Sequence, residues 1–227
     1  MGKVLEMILP MKWRALVLLM VLGIGGCGSD RDATAGARLL QTSMKGLFSG
    51  RAQPAPAVTR AMLEAYSTPM IMAEIPALKL TTFLVPLAQN GDIETWSTAD
   101  DKTISFRQGI MVATRGLGPD IMQAIAPTLA QLASGTGSHD RSYYYLDGAD
   151  QTQRFDYHCT VAVAGTETIT VVSEPHATRH VTESCAGKAG KFVNDYWFEG
   201  GVFLRQSKQL LVQPLGSVTF QRVIDNG

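Results

Sequence analysis

The sequence predicts a mainly β protein, either an antiparallel β-sandwich or a barrel-like meander, with two or three short helices. From residue 76 onward, apolar and polar residues alternate through a series of short runs rich in β-branched and aromatic residues. Glycine, asparagine or aspartate separates most of these runs. Because few residues join one run to the next, neighbouring strands are expected to pair antiparallel.

Two segments are predicted to be helical instead. Residues 58–66 form a short amphipathic pattern that Pro69 ends. Residues 117–135 carry apolar side chains at helical spacing, with Pro119 near the first turn. Pro127 is expected to bend or split this second helix, which would cover one end or face of the sheet.

The other runs are predicted strands. The pair LKLTTFLVPLAQ and DIETWST is expected to form a hairpin, because Asn90-Gly91 between them tolerates the positive φ of a tight turn. Gly165-Thr166 and Gly200-Gly201 are placed at two further turns. The later predicted strands are KTISFRQ, IMVATRG, RSYYYLD, RFDYHCTVAVAG, ETITVVSE, ATRHVTES, KFVNDYWFEGG, VFLRQSKQ and SVTFQRV.

The first residues have the three parts of a secretory signal. A basic stretch with Lys12 and Arg14 precedes the apolar residues 15–22, and small residues follow. The apolar stretch is too short for a transmembrane helix, which needs about 20 apolar residues. Residues 1–26 are therefore predicted to be a cleaved signal peptide.

Ile24-Gly25-Gly26-Cys27 resembles the bacterial lipobox, in which a branched residue and two small ones precede the thiol that receives a diacylglycerol. Acyl chains such as palmitate on Cys27 would hold the protein on a membrane, because each buried methylene contributes about 0.8 kcal/mol. An ordinary secretory signal that contains a cysteine is the alternative. Gly28 stands where inner-membrane lipoproteins carry aspartate, so we expect the outer membrane, on its periplasmic face.

The composition divides the mature chain into two parts. Residues 27–57 are small and polar and are predicted to be a lipidated tether, in which residues 38–48 have the pattern of a short helix. Residues 58–227 are long enough to form a single β-rich periplasmic domain with its own core.

The chain carries 20 basic and 20 acidic residues and is therefore formally neutral. Binding to nucleic acid would need a clustered basic face, and a polybasic hold on lipid head groups would need a similar excess of positive charge. We therefore expect no nucleic-acid partner, and contact with the membrane only through the lipid anchor.

Cys159 and Cys185 remain after removal of the signal peptide, and an even number of cysteines in an exported chain predicts a disulfide. The bond would close a loop of about 25 residues, with a stabilisation of roughly 3 kcal/mol in the chain-entropy account. A metal site is the alternative, because His158, His176 and His180 are near in sequence. The sequence around the last two indicates a strand rather than a metal-binding helix, so we expect no metal.

No catalytic residue is assigned from the sequence. Cleavage of a glycosidic bond needs two suitably spaced carboxyl groups. The acidic residues between the predicted strands are mostly in turn-like positions, where solvated carboxylates are common. The sequence has no GxSxG motif, and none of its histidines stands in a recognisable triad context. We expect a protein that is not an enzyme and has no cofactor.

Four residues are candidates for contact with a glycan or a partner. Trp96, Tyr144 and Trp197 are aromatic residues in predicted strands, where packing in the core is the alternative. Arg115 precedes a glycine-rich turn, and its structural alternative is a bond to backbone carbonyls or to Asp120 that fixes the turn. We favour the core for the two tryptophans and the structural role for Arg115.

Several motifs are spread along the chain. They are the lipobox, Thr95-Trp96, ATRGLGPD at residues 113–120, Tyr196-Trp197, the paired Gly200 and Gly201, RQSKQ at residues 205–209 and the final SVTFQRV. Together they resemble the YjbF/GfcB family of capsule and exopolysaccharide lipoproteins. The resemblance spans nearly the whole mature chain. The resemblance does not extend to the two-cysteine loop or to the HATRH segment, so no role for them is carried over.

The resemblance implies a periplasm-facing lipoprotein that assists the export or assembly of a capsule or exopolysaccharide. The expected partners are the membrane, other polysaccharide export proteins and the polysaccharide itself. Two other functions stay open from the residues: a periplasmic carbohydrate-active enzyme, and a structural lipoprotein that only docks an export channel.

Overall fold

A computed structural model describes residues 58–118, 120–146, 151–212 and 215–225. These residues belong to the larger of two compact units, residues 36–227. The predicted signal peptide, the lipidation site Cys27 and the tether with its helix at residues 38–48 lie outside the described residues. Within the described ranges, no helix has the length and apolar character needed to cross a bilayer.

Twelve strands and two short α-helices make up the described part of the chain, together with one 3-10 turn at Pro76–Leu78. In chain order the elements are α1 (Arg60–Leu63), β1 (Met70–Ile75), β2 (Leu80–Asn90), β3 (Ile93–Ser97), β4 (Thr103–Arg107), β5 (Ile110–Arg115), β6 (Ile121–Ile125), α2 (Leu129–Ala133), β7 (Ser138–Leu146), β8 (Thr152–Val171), β9 (Glu174–Gly187), β10 (Gly190–Glu199), β11 (Phe203–Val212) and β12 (Gly216–Ile224).

The strands form one antiparallel sheet that is nearly closed and barrel-like. The strand order is β5-β4-β3-β2-β1-β12-β11-β10-β9-β8-β7-β6. Each strand therefore pairs with its neighbours along the chain, except that β5 and β6 do not pair. Strand β12 returns to pair with β1, with Phe220 opposite Ala73. The structure confirms the predicted mainly β fold and selects the barrel-like meander.

Strands β5 and β6 are the two edges of the sheet, and they meet without backbone pairing at a junction that we call the seam. Side chains bridge it. The backbone N–H of Ile121 donates to Oγ1 of Thr114 at 2.9 Å, and Nη1 of Arg115 donates to the carbonyl of Ile121 at 3.0 Å. These bonds satisfy backbone groups that an open edge would leave unpaired.

The interior is filled mainly by the inward-facing row of each strand. In β12, for example, the buried Val218 and Phe220 alternate with partly exposed residues. Phe220 packs edge-on against Phe106 of β4, with 4.9 Å between the ring centroids. Other members of the main core are Ile71, Ala73, Ile75, Leu84, Trp96, Ile104, Met111, Ile121, Tyr143, Tyr145, Tyr157, Leu210, Leu211 and the two disulfide cysteines.

The β8–β9 hairpin is longer than the sequence suggested. Gly165-Thr166, the predicted turn, lies inside β8, where a bulge between Val163 and Gly165 shifts the register. The bulge explains the error, because a glycine that interrupts an alternating run marks a bulge as readily as a turn. The hairpin instead reverses at Val172 and Ser173, both with positive φ.

The predicted disulfide between Cys159 and Cys185 is present. The two cysteines lie directly opposite each other on β8 and β9, with 4.0 Å between their Cα atoms. RFDYHCTVAVAG and ETITVVSE were predicted to be separate strands, but ETITVVSE begins as the end of β8. The strand that carries Cys185 is therefore the immediate partner of the strand that carries Cys159.

The helix predicted at residues 117–135 was wrong for most of its length. Residues 121–125 form strand β6, which pairs with β7 so that Ala124 lies opposite Tyr143. The apolar spacing of this segment fits a helix, but its pairing with a neighbouring strand decides the outcome. A helix begins only after Pro127, where Thr128 caps α2 through a capping box with Gln131.

Most of the other predictions are confirmed. Asn90-Gly91 adjoins the β2–β3 turn, and Gly200-Gly201 lies in the β10–β11 turn. The first predicted helix is present but short, since α1 covers four residues. Strand β1 was not predicted, and it lies in the middle of the sheet between β2 and β12.

Candidate functional site

One end of the sheet carries a groove. The turns β2–β3, β4–β5 and β10–β11 all lie at this end, because antiparallel neighbours place every second turn on the same side. Strand β1 begins here and β12 ends here, with Met70 opposite Ile224. The groove has a volume of about 590 Å³, and binding sites often form at the open end of such sheets.

The groove is lined by aromatic, aliphatic and planar polar side chains from elements far apart in the sequence. The lining residues are Pro69, Pro86, Leu87, Ala88, Gln89, Glu94, Thr95, Trp96, Gln108, Gly109, Leu129, Val202, Phe203, Leu204 and Arg222. Its rim is unusually apolar for an exposed surface, since Leu87 is 60% exposed and Val202 is 67% exposed.

Arg222 stands between two aromatic rings of the groove. Its Cζ lies 5.6 Å from the ring centroid of Trp96 and 5.9 Å from that of Phe203. A second guanidinium, that of Arg205, lies 4.7 Å from the Phe203 ring. These distances allow cation–π attraction, which fixes the direction of the Arg222 side chain.

Trp96 was predicted to be a glycan contact or a core residue, and it lines the groove while remaining 3% exposed. Its indole Nε1 donates to Oε2 of Glu94 at 3.1 Å. The tryptophan therefore forms the floor of the groove, with Arg222 near its ring.

Arg115 belongs to the seam and does not line the groove. Its Nη1 donates to the carbonyls of Thr114 and Ile121. Asp120 accepts from the hydroxyl of Thr114 and from the backbone N–H of Gly116 and of the next residue. Of the two structural roles predicted for Arg115, the bond to backbone carbonyls is the one observed. The turn that it stabilises joins two strands rather than a strand and a helix.

Tyr144 is partly exposed on β7, between the buried Tyr143 and Tyr145. The guanidinium of Arg154 lies 5.6 Å from its ring centroid. Trp197 stacks on His180 with 4.5 Å between the ring centroids, and its Nε1 donates to Oε1 of Glu167 at 2.6 Å. Neither Tyr144 nor Trp197 lines the groove, so the structure does not bring the four sequence candidates together.

A buried ionic cluster surrounds Glu183 of β9. Both of its carboxylate oxygens accept from Arg141, at 2.9 and 3.0 Å. His139, Asn194 and Tyr196 bond the same carboxylate at 2.6, 2.7 and 2.8 Å. Burial would raise the pKa of Glu183, but the Arg141 charge and these bonds outweigh it and lower the pKa to about 2.

The donor atoms of His139, Cys159 and Glu183 lie within 4.8 Å of one another, a spacing that a metal ion could use. Cys159 is bonded to Cys185, so its sulfur is not a thiolate ligand. The Glu183 oxygens already accept hydrogen bonds from arginine, histidine, asparagine and tyrosine. These three residues therefore fit a structural cluster and do not fit a metal centre.

Sequence reasoning missed Arg222 and Phe203 as site residues. Arg222 stands in the closing SVTFQRV strand at the position that continues the inward row of Val218 and Phe220. Phe203 follows the glycine turn and starts β11. The alternation of β12 places a charged residue at a position that faces inward. A charge at an inward-facing position was the signal from which Arg222 could have been identified as a site residue.

The fold is similar to that in the crystal structure of the hypothetical lipoprotein YmcC from Escherichia coli (K12). The likeness covers 88% of this chain and 98% of that chain, with a TM-score of 0.71 and 14% sequence identity. At this identity the likeness shows the fold alone. A search of curated proteins gave no match.

The family comparison agrees with the motifs quoted from the sequence. The family model described as "Group 4 capsule polysaccharide lipoprotein gfcB, YjbF" matches residues 37–223, which include every described strand except the last residue of β12. The predicted resemblance is thereby confirmed, and the chain belongs to the YjbF family of group 4 capsule polysaccharide lipoproteins.

Proposed function

We propose that this lipoprotein is a non-enzymatic accessory in the export or assembly of a capsule or exopolysaccharide, and that the groove is where it contacts the polymer. Family membership supports the connection with capsule polysaccharide. The observation that carries the proposal is the composition of the groove, in which Trp96, Phe203 and Arg222 lie beside the carboxamides of Gln89 and Gln108. Sugar faces stack on aromatic rings, and sugar hydroxyls bond planar polar groups.

The number and the surroundings of the carboxylates favour binding of a polysaccharide over its cleavage. Among the described residues that line the groove, Glu94 is the one carboxylate, and it accepts the indole N–H of Trp96. Glycosidases of the common two-carboxylate type need a second acid roughly 5 to 10 Å away. The more deeply buried Glu183 is held ionised by Arg141, which does not suit a general acid.

We further propose that Cys27 is lipidated and holds the protein on the periplasmic face of the outer membrane. The lipobox pattern before Cys27 and the Gly28 after it support this location. The predicted tether, residues 27–57, would join the lipidated cysteine to the β-rich domain.

The exposed rim favours a second candidate function, that of a docking protein for an export channel or another periplasmic partner. Leu87 and Val202 are two of the most exposed large apolar side chains in the described part of the chain. An apolar rim around a groove is typical of surfaces that contact another protein. The two candidates can be distinguished, because a docking protein would not need Arg222.

The test is complementation in a strain that lacks the gene. Surface polysaccharide is measured after expression of the wild-type chain, Cys27→Ser, Arg222→Gln or Arg154→Gln, and each protein is located by separating inner and outer membranes. We expect loss of surface polysaccharide with the first two variants and none with the third, whose arginine lies outside the groove. Normal polysaccharide in the deletion strain would refute the proposed function.

A further inference from the structure

We propose that the groove binds a carboxylated polysaccharide, with a sugar carboxylate on the guanidinium of Arg222 and a sugar ring against Phe203. This inference rests on the proposed function and adds to it the chemical class of the polymer. It depends on the position of Arg222, on the absence of a protein partner for its charge, and on the side chains around it.

The position of Arg222 is unusual for an arginine. It continues the inward row of Val218 and Phe220 on β12 and lies opposite Ile71, a core residue of β1. It is followed by the last residues of the strand, at the groove. The side chain is therefore held by an interior strand position while its charged group lies among the residues of the groove.

The charge of Arg222 has no protein partner within the described part of the chain. Two other arginines near a core have ion pairs: Arg141 bonds Glu183, and Arg205 bonds Glu199 and Asp225. Arg179, which lies over the core residue Phe198, donates instead to backbone carbonyls. The guanidinium of Arg222 instead contacts the rings named above. No direct ion pair joins it to Glu94, the carboxylate among the described residues that line the groove.

The side chain of Arg222 is partly exposed. None of the buried side-chain nitrogen or oxygen atoms in the described ranges lacks a hydrogen-bond partner. The Arg222 nitrogens have no such partner among the described residues, so they are not fully buried atoms. A guanidinium offers five N–H donors in a rigid plane that suits a carboxylate bound through both oxygens.

The surroundings of Arg222 fit a sugar rather than a small ion. Phe203 is 37% exposed and offers an aromatic face within the groove. Gln89 and Gln108 supply carboxamides that can donate to and accept from hydroxyl groups. Glu94 repels a second anion at its own position but can accept hydroxyl protons, so the groove favours a ligand with one carboxylate among several hydroxyls.

The test uses the full-length chain in detergent micelles and isothermal titration calorimetry. The probes are oligogalacturonates and the same oligomers with their carboxylates methyl-esterified. We expect the wild-type protein to bind the acidic probe about tenfold more tightly than the ester, since one charge-assisted bidentate contact is removed by esterification. Arg222→Gln should remove this preference, and Arg222→Lys should reduce it. Phe203→Ala should weaken the binding of both probes.

Arg154→Gln is the matched control, because Arg154 also stacks on an aromatic ring but lies outside the groove. Thermal melting of each variant checks that it is folded. Equal binding of the two probes, no binding of either, or an unchanged preference in a folded Arg222→Gln protein would overturn the inference. If the acidic probe binds as expected while the deletion strain keeps normal surface polysaccharide, the site stands and the proposed function fails.

Discussion

The side chain of Gln209 hydrogen-bonds the backbone of Met111 across the interior, with 2.9 Å between Met111 N and Gln209 Oε1. Its Nε2 donates to the carbonyl of Gly109, also at 2.9 Å. Gln209 is fully buried on β11, and Met111 and Gly109 flank the start of the edge strand β5. One carboxamide therefore takes the place of a neighbouring strand and ties β5 to the opposite wall.

Replacing this carboxamide should be costly. Gln209→Leu leaves the buried N–H of Met111 and the carbonyl of Gly109 without partners, and each such group costs about 1–3 kcal/mol. We expect the free energy of unfolding, measured by urea titration, to fall by about 2–4 kcal/mol. Gln89→Leu, which changes an exposed carboxamide, is the control and should alter stability far less. Equal effects of the two changes would contradict the role of Gln209.

Arg115→Ala should lower thermal stability. The variant loses the bond that joins β5 to the carbonyl of Ile121 across the seam, worth about 1 kcal/mol for a partly exposed group. Differential scanning calorimetry measures the change, with Arg107→Ala as the control because Arg107 pairs with an exposed aspartate instead. Unchanged melting combined with loss of polysaccharide export would point to a contact with a partner or a glycan.

Removal of the disulfide should destabilise the protein without changing its fold. The bond spans 26 residues, and the double variant Cys159→Ala/Cys185→Ala should lose about 3 kcal/mol of unfolding free energy. The denaturation midpoint of the oxidised protein with and without reductant gives the same comparison. Two titratable thiols in the unreduced, unfolded protein would show that the bond does not form.

Acid should remove a stabilising contribution from Glu183. Burial alone would raise the pKa of this carboxyl, but Arg141 and the hydrogen bonds lower it to about 2, below its ordinary value of 4.5. A carboxyl group whose pKa is lower in the folded state than in the unfolded state stabilises the fold at pH values above its unfolded pKa. This contribution is lost as the pH falls from about 4.5 towards 2. The loss amounts to about 3 kcal/mol.

Denaturant titrations at a series of pH values measure this effect. The Glu183→Gln variant has no carboxylate and so cannot lose this stabilisation. The difference in unfolding free energy between the wild type and the variant should therefore shrink as the pH falls. At neutral pH the variant should be less stable by about 3–5 kcal/mol, because Arg141 is left buried without its counter-charge. A difference that is constant with pH would contradict the assignment of the low pKa.

The meander was predictable because its evidence is local. Period-two alternation and turn residues such as Asn90-Gly91 act within a few positions of each other, and the fold follows the same sequential order. Residues 121–125 were mistaken for a helix because only pairing with β7 distinguishes them. Strand β1 was missed because its methionines and isoleucines are buried on both sides, which removes the alternation.

The groove could not have been predicted in the same way. Trp96 and Arg222 lie 126 positions apart in the sequence, and their contact depends on the pairing of β12 with β1. The sequence predicts Trp96 as an aromatic candidate. The unpaired charge of Arg222 beside it can be identified only from a structure, in which the partners of each arginine are known.

The pairing of β1 with β12 brings the two ends of the sheet region together, with Met70 opposite Ile224. A short peptide could therefore join residue 225 to residue 58. The chain could then be opened in the turn between β5 and β6, which share no backbone pairing. Such a circular permutant would keep every strand partner of the native chain. The order in which the strands are synthesised could therefore be changed without changing the fold.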